Sequence, residues 1–246
     1  MRTVKTDYIG RKRKQDVSGL IRASNLHDGT RYGMIEDADG YALAYQEDGK
    51  LCSAAAIYRM GETFKGRPVC ELAAFTAPEY RRQHCFTKLM ERLSGELEGS
   101  VLRFAVYPNA DTSAVLAGLG AVHEHDELML ETGTAAFSEA AGDGEIPEGE
   151  RLKIDFEEGY ACSKHGECYF RLGSESAYIF GVLSYARHRR KGHAREMLKQ
   201  LFSAFYEKGI FRVCLQVSSE NLPALRLYES LGMKETDRLE YHLVIK

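Results

Sequence analysis

The stretch Arg189-Arg190-Lys191-Gly192-His193-Ala194 joins a strand-like run at residues 178–185 to a strongly amphipathic helix. A glycine at the turn lets the backbone approach a ligand closely. The first turn of the helix then presents unpaired N–H groups and the positive end of its dipole. Three cationic side chains lie beside these groups in the sequence. The stretch is therefore typical of an anion cradle, and a pyrophosphate fits that description.

The chain after this stretch alternates between helix and strand. Apolar side chains recur at steps of three and four over residues 194–205, which predicts a helix that ends at Gly209. Residues 211–217 alternate apolar and polar side chains, as a half-buried strand does. Asn221 and Pro223 are then placed to begin a second helix, which Gly232 ends.

Two motifs in this region resemble the signatures of one enzyme family. Arg189-x-x-Gly192-x-Ala194 is similar to the Q/R-x-x-G-x-G/A acetyl-CoA loop of the GNAT superfamily of N-acetyltransferases. Residues 221–233, which include Tyr228, resemble the second signature of that family and follow at about its spacing. The resemblance implies an α/β fold with a mixed sheet, and acetyl-CoA as the co-substrate.

The first half of the chain carries a faded copy of both motifs. Arg81 takes the position of Arg189, and residues 109–120 mirror residues 221–232. His84 stands where Gly192 does, and Phe86 stands where the alanine of the loop does. Side chains would therefore fill the space that a pyrophosphate needs. We interpret the chain as two tandem GNAT-like domains, of which the first is degenerate.

Composition and spacing place the domain boundaries. We expect the degenerate domain at residues 1–132, an exposed linker rich in Gly, Ala, Glu and Ser at residues 133–149, and the catalytic domain at residues 150–246. A short helix fits part of the linker. The second domain has only residues 150–158 ahead of its first predicted hairpin, so its acceptor side is truncated. Our hypothesis is that the first domain or a second subunit completes that wall.

The resemblance also assigns roles to individual residues. The backbone of three residues on the strand before the loop would pair with pantetheine and stabilise the oxyanion, namely Val182, Leu183 and Ser184. The loop would hold the pyrophosphate through Arg189, Arg190, Lys191, Gly192, His193 and Ala194. Asn221 would contact the coenzyme or act only as a helix cap. Tyr228 is the candidate general acid for the departing thiolate, with a packed tyrosine as the alternative.

The general base is not identified by the sequence. Related N-terminal acetyltransferases carry a glutamate five residues before the asparagine, and that position here is Gln216, which does not accept a proton at neutral pH. This weakens the case for a protein N-terminus or a lysine as acceptor. Other candidates near the predicted site are Glu175, Glu220, His188 and His193. Spacing selects none of them.

Composition limits the partners. The formal charge of −3 gives no overall attraction to nucleic acid, and the basic run at residues 11–14 fits the solvated start of a helix. No stretch is apolar enough to span a bilayer and no secretory signal opens the chain, so we expect a cytoplasmic protein without nucleic-acid or membrane partners. Six scattered cysteines lack metal spacing and indicate no metal site, although a redox pair between Cys162 and Cys168 stays open.

Two functions fit these observations. The first is an acetyl-CoA-dependent N-acetyltransferase that acts on the primary amine of a small molecule or peptide. The second is a non-catalytic acyl-CoA-binding sensor or scaffold. A donor with a larger acyl group is a third alternative. The sequence does not identify the acceptor, the acyl group or the oligomeric state. A homodimer is one alternative for the last of these.

Overall fold

The computed structural model describes residues 1–138 and 151–245. These residues form two compact units. Unit 1 comprises Met1–Glu124 and Leu239–Lys246, and unit 2 comprises His125–Arg238. Each unit combines helices with a sheet that contains both parallel and antiparallel strand pairs. The predicted α/β class with a mixed sheet is therefore confirmed.

Unit 1 begins with a strand and a long helix, followed by a meander of three strands. Its elements are β1 (Arg2–Thr6), α1 (Arg11–Asp28), β2 (Gly40–Tyr45), β3 (Leu51–Phe64), β4 (Arg67–Thr76), α2 (Cys85–Leu97), β5 (Val101–Val106) and α3 (Ala110–Gly118). The order of strands is β1-β2-β3-β4-β5, and β4 and β5 run parallel. Next to β5 lies the end of the last strand of the chain, β12 (Lys234–Val244).

Both faces of the unit 1 sheet carry an apolar core. On one face, Val17, Leu20 and Ile21 of α1 are buried in a cluster that also contains Leu43 and Phe75. On the other face, α2 buries side chains at steps of four residues, namely Cys85, Leu89, Leu93 and Leu97. Helices therefore protect unit 1 on both sides of its sheet.

Unit 2 repeats the order of strands and helices that unit 1 has from β2 to α3. Its elements are β6 (Val122–Gly133, from His125 onwards), β7 (Lys153–Asp155), β8 (Tyr160–Ser163), β9 (Gly166–Leu172), β10 (Ser176–Ser184), α4 (His193–Glu207), β11 (Arg212–Ser218), α5 (Leu222–Ser230) and the start of β12. The order of strands is β7-β8-β9-β10-β11-β6, and β10 and β11 run parallel. Helices α4 and α5 contribute to one core, which includes Leu198, Phe202 and Tyr228.

Two strand segments pair with strands of the domain to which the sequence analysis did not assign them. Residues 127–133 were expected to end the first domain, but they pair with β11, with Leu130 opposite Leu215. The last strand was expected in the second domain, but its end pairs with β5, with Leu243 opposite Arg103. The alternation of side chains predicts that a segment is a strand and does not reveal which strand it pairs with.

The predicted linker begins later than expected. Thr134 and Phe137 are buried, and Ala135–Phe137 forms a single 3-10 turn in place of the short helix expected there. Phe137 stacks edge-on against Phe202 in the core of unit 2. The start of the segment therefore belongs to unit 2, and the rest of the predicted linker lies outside the described residues.

The hypothesis of a redox pair between Cys162 and Cys168 is wrong. In the hairpin of β8 and β9, Cys162 lies opposite Glu167 and Cys168 lies opposite Ala161. Side chains alternate between the faces of a strand, so the two thiols point to opposite faces of the sheet. All six cysteines are free. As for membranes, none of the described helices has the length and apolar character needed for a span.

Candidate functional site

Strands β10 and β11 separate at their carboxyl ends. Their parallel pairing covers only Ser176–Ile179 against Arg212–Leu215, although the strands continue to Ser184 and Ser218. A β-bulge between Phe180 and Leu183 interrupts the pairing of β10 with β9, and Gly181 in the bulge has φ of +61°. The two strands therefore leave an opening between them, with backbone groups along its edge that the ladder does not use.

The three backbone residues assigned by resemblance lie at this opening. Leu183 and Ser184 pair with β9, whereas Val182 lies in the bulge and has no partner in the register of that strand. On the side facing β11, none of the three is paired. The carbonyl of Ser184 accepts from Arg189, and the other backbone groups on that edge can bind a ligand inserted between the strands.

The backbone of the cradle takes a tightly turned path. After a 3-10 turn at Ala186–His188, Arg190 adopts φ of +59° and Gly192 adopts φ of +83° as the N-cap of α4. Among the described residues, no hydrogen bond uses the N–H groups of residues 190–194. Five successive donors are thus open at the positive end of a helix, which is the arrangement that binds anions.

The side chains of the cradle add uncompensated charge. Arg189 donates from Nε to the carbonyl of Ser184 at 3.0 Å, and Lys191 donates from Nζ to the carbonyl of Arg187 at 3.2 Å. Both contacts are to neutral acceptors. Within the described part of the chain, no carboxylate forms an ion pair with Arg189, Arg190 or Lys191. The loop therefore keeps a positive field that attracts a multiply charged anion.

The matching loop in unit 1 follows the same backbone path. Arg82 has φ of +58° and His84 has φ of +61°, and Arg81 donates from Nε to the carbonyl of Thr76 at 3.4 Å. These are the positions of Arg190, Gly192 and Arg189 in unit 2. The internal repeat therefore extends from sequence to backbone geometry.

Two differences separate the unit 1 loop from its counterpart. Arg81 forms a two-point ion pair with Asp28, at 2.8 and 2.6 Å, and a longer one with Asp111 at 3.3 Å. The guanidinium in turn lowers the pKa of Asp28 below its usual range. The register of β4 against β3 also runs unbroken from Cys70 to Thr76, the segment that matches the bulge of β10, and shifts only between Arg59 and Thr63. Unit 1 thus lacks both the free charge and the bulge that unit 2 has.

The structure brings together three imidazoles that sequence spacing did not connect. One ring nitrogen from each of His165, His188 and His193 lies within 4.8 Å of the other two. The rings of His165 and His193 stack at 3.5 Å with planes 10° apart, so their in-plane lone pairs do not converge on one point. Arg187 also donates to Nε2 of His188 at 3.1 Å. With the cationic loop beside it, this cluster favours an anion over a metal ion.

Desolvation and neighbouring groups also set the protonation of His188. Desolvation, followed by the nearby His165 and Arg187, lowers the pKa of His188. His188 is therefore neutral at pH 7, and its ring can accept or donate a hydrogen bond without adding charge.

Tyr228 and Asn221 lie on α5 and at its start. Tyr228 is only 6% exposed within the core of unit 2, and burial raises its pKa to about 12. Asn221 accepts from the N–H of Ala224 at 3.3 Å, which makes it the N-cap of α5. In unit 1, Asn109 caps α3 in the same way, through the N–H of Thr112 at 2.9 Å.

The candidate bases do not all reach the site. Glu175 precedes β10, whereas the cradle follows it, so Glu175 lies at the other end of a strand of about 30 Å. The expectation that Glu175 is near the site is therefore wrong. Glu220 and Gln216 belong to the carboxyl end of β11, which is the end that faces the opening, and both are exposed.

The sequence analysis missed one carboxylate at the site. Glu167 on β9 lies opposite Leu183, beside the bulge. Its Oε2 accepts from the hydroxyl of Tyr160 at 2.8 Å and from that of Tyr185 at 3.0 Å. The predicted hairpin at residues 160–166 was the available signal, because its register brings Glu167 to the end of β10.

Comparisons with known proteins agree with this geometry. Residues 155–233 match the model of the Acetyltransferase (GNAT) family. The uncharacterized N-acetyltransferase YycN of Bacillus subtilis (strain 168) is 36% identical over 63 residues, which are 26% of this chain and 40% of that protein. The chain therefore spans well under half the length of this curated relative.

Solved structures share the fold of the whole chain. A GCN5-related N-acetyltransferase from Sphaerobacter thermophilus superposes with a TM-score of 0.68 at 15% identity, over 98% of this chain and 95% of that one. A tandem GNAT protein from the clavulanic acid biosynthesis pathway superposes with a TM-score of 0.66 at 13% identity, over 98% of both chains. At these identities the likeness concerns the fold alone.

Proposed function

We propose that this chain, whose residues 155–233 match the model of the Acetyltransferase (GNAT) family, is an acetyl-CoA-dependent N-acetyltransferase with its chemistry in unit 2. One observation carries the proposal. In unit 2 an uncompensated anion cradle directly follows the bulged strand beside an opening in the sheet, and in unit 1 both the free charge and the bulge are lost.

The residues of the cradle fit a coenzyme pyrophosphate. A Cβ placed on Gly192 would meet no heavy atom of the described residues within 4 Å, so the space in front of the loop is open. The N–H groups of residues 190–194 make no hydrogen bond within the described residues, and Arg190 is exposed in the same loop. The pantetheine arm would lie in the opening between β10 and β11, along Val182, Leu183 and Ser184.

Acetyl transfer then requires stabilisation of an oxyanion, removal of a proton from the amine and stabilisation of the leaving thiolate. The neutral amine attacks the thioester carbonyl, forming a C–N bond and an oxyanion, and backbone N–H groups of the bulge stabilise that charge. The C–S bond breaks next, and coenzyme A leaves as a thiolate. The amine nitrogen gives up its extra proton to water or to a base, and the thiolate is stabilised by a donor in the protein.

Tyr228 supplies that donor in this proposal. With a pKa near 12, its phenol stays protonated at any physiological pH. Complete transfer of the proton to a thiolate of pKa about 8.5 would cost about 5 kcal/mol, at 1.36 kcal/mol per pKa unit. Tyr228 therefore acts by donating a hydrogen bond to the leaving sulfur, and the proton itself arrives from solvent. Asn221 fixes the start of α5, which carries Tyr228.

The second candidate function is an acyl-CoA-binding sensor without catalysis. Gln216 favours it, because that position holds no carboxylate in this chain. A sensor would bind the coenzyme in the same cradle and release no product.

Release of free thiol separates the two functions. The purified full chain is incubated with acetyl-CoA and a panel of primary amines, and coenzyme A is measured with a thiol-reactive dye. An amine-dependent rate above that of buffer supports the transferase. Tight binding of acetyl-CoA without amine-dependent release contradicts it and favours the sensor. Absence of both contradicts either function.

A further inference from the structure

We propose that the acceptor is a primary amine attached to an aromatic group, with its ammonium bound by Glu167 and its ring on an exposed aromatic face of β9 and β10. The inference rests on the proposed function and names the class of its substrate. The face consists of Tyr160, Tyr169, Tyr178 and Phe180, and we call it the aromatic face.

The aromatic face is the side of the unit 2 sheet opposite its core. Neighbouring residues in the same strands, such as Phe170 and Ile179, are buried in the core to which α4 and α5 contribute. On the other side, Tyr169 is 41% exposed and Phe180 is 37% exposed. In unit 1 the same side of the sheet is covered by α1, and no helix described in unit 2 takes that place.

The rings on this face form a continuous row. Tyr160 and Tyr169 have centroids 5.0 Å apart, and Tyr169 and Phe180 stack at 5.8 Å with planes 24° apart. Tyr178 extends the row at 6.2 Å from Phe180, again with planes 24° apart. An added aromatic ring is stabilised by such a contact beyond the area that it buries. A ligand ring therefore finds a ready surface here.

Glu167 supplies the charge complementary to an amine. The hydroxyls of Tyr160 and Tyr185 donate to its Oε2, and these bonds to a carboxylate raise the pKa of both phenols, so they stay donors. Among the described residues, no hydrogen bond uses Oε1, and no arginine or lysine forms an ion pair with Glu167. One carboxylate oxygen is thus held in place beside a second that is free for an ammonium group.

The position of Glu167 links the aromatic face to the chemistry. Glu167 pairs with Leu183, at the end of the bulge where the thioester carbonyl would lie. Cross-strand neighbours are about 5 Å apart, so an amine at Glu167 is within reach of that carbonyl. The bound ammonium first loses one proton to water, and the neutral amine that remains then attacks. Helices α4 and α5 occupy the other side of the sheet, and an acceptor must therefore approach from the aromatic face.

Charges elsewhere on this side set what else the site accepts. Arg171 lies over the ring of Phe180, with its guanidinium carbon 5.4 Å from the centroid. Arg171 therefore places a positive charge at the far end of the row, whereas the carboxylate of Glu167 lies next to the bulge. A carboxylate beside the reacting amine, as in an amino acid, would meet Glu167 as a like charge.

The test compares three amines on the full chain with acetyl-CoA. The probes are 2-phenylethylamine, propylamine, which lacks the ring, and phenylalanine, which adds a carboxylate. We expect kcat/KM for 2-phenylethylamine to exceed the values for the other two at least tenfold. The variant Glu167→Gln should raise KM for 2-phenylethylamine at least tenfold and reduce the discrimination against phenylalanine. Glu207→Gln, an exposed carboxylate at the end of α4 opposite the cradle, is the matched control and should change neither.

A binding measurement accompanies the kinetics. Calorimetry of acetyl-CoA on wild type and Glu167→Gln should give equal affinities. If wild type binds no acetyl-CoA, the proposed function fails, and this inference fails with it. If acetyl-CoA binds but KM for 2-phenylethylamine is the same in Glu167→Gln, or if propylamine is acetylated as efficiently, the inference alone is overturned and the transferase stands.

Discussion

Arg81 and Asp28 form a two-point ion pair in unit 1, with Nη1–Oδ1 and Nη2–Oδ2 distances of 2.8 and 2.6 Å. Arg189 takes the matching position in unit 2, where its Nε donates to the carbonyl of Ser184 and no described carboxylate pairs with it. The same loop is therefore neutralised in one unit and left charged in the other. This difference assigns the coenzyme to unit 2 in our proposal.

The ion pair predicts a pH-dependent stability. Because Arg81 lowers the pKa of Asp28 in the folded state, the pair stabilises the fold above the unfolded pKa of about 3.9. That stabilisation is lost as the pH falls through the folded pKa. Asp28→Asn should lower the free energy of unfolding by about 1–2 kcal/mol at pH 7 and by much less at pH 3. Urea denaturation at the two pH values measures this, and an equal loss at both would contradict it.

The bulge predicts a glycine-specific effect. A Cβ on Gly181 would lie 3.1 Å from the ring of Tyr169, at φ of +61°. Gly181→Ala should therefore cost about 1 kcal/mol or more of stability and weaken acetyl-CoA binding, because the bulge edges the opening. Gly120→Ala is the matched control, since Gly120 has φ of +66° with no heavy atom of the described residues within 4 Å of the added Cβ. It should cost similar stability, measured by urea denaturation, and leave acetyl-CoA binding unchanged in calorimetry.

Removal of one hydroxyl tests the donor on α5. Tyr228→Phe should lower kcat about 100–1,000-fold, the range for loss of one hydrogen-bond donor to a developing charge. The affinity for acetyl-CoA should stay the same, because the ring remains packed. Tyr206→Phe on α4, where the tyrosine is 36% exposed, serves as the control and should leave kcat unchanged. An unchanged kcat in Tyr228→Phe would show that Tyr228 only packs.

The pairing of β6 with β11 predicts that the second half does not fold alone. A fragment of residues 150–246 lacks Leu128, Leu130 and Phe137, which are buried in the core of unit 2. Each such side chain contributes about 1.5–3 kcal/mol, so their loss approaches the whole stability of a domain. Circular dichroism of the fragment should show no cooperative thermal transition. A cooperative transition like that of the full chain would contradict the pairing.

Local signals predicted the elements around the site well. The amphipathic stripe of α4 with Gly209 behind it, the alternation of β11 and the cap at Asn221 all appear where the sequence placed them. Each depends on residues within a few positions of one another. The anion cradle was predictable for the same reason.

Features that depend on distant pairing were not predictable. The partner strands of β6 and β12 follow from the register of the whole sheet. The prediction that Glu175 lies near the cradle is wrong, because the length of β10 separates the two in space although they are close in sequence. Glu167 reaches the end of β10, and His165 reaches His188 and His193, through the β8–β9 hairpin, whose register no single motif encodes.

The most direct test of the central claim uses the matched pair Arg190 and Arg82, which share φ near +59° in the two loops. Acetyl-CoA binding is measured by calorimetry on wild type, Arg190→Glu and Arg82→Glu. We predict that Arg190→Glu weakens binding at least tenfold and that Arg82→Glu changes it less than twofold. Equal affinity in wild type and Arg190→Glu, or loss of binding in Arg82→Glu, would contradict the assignment of the coenzyme to unit 2.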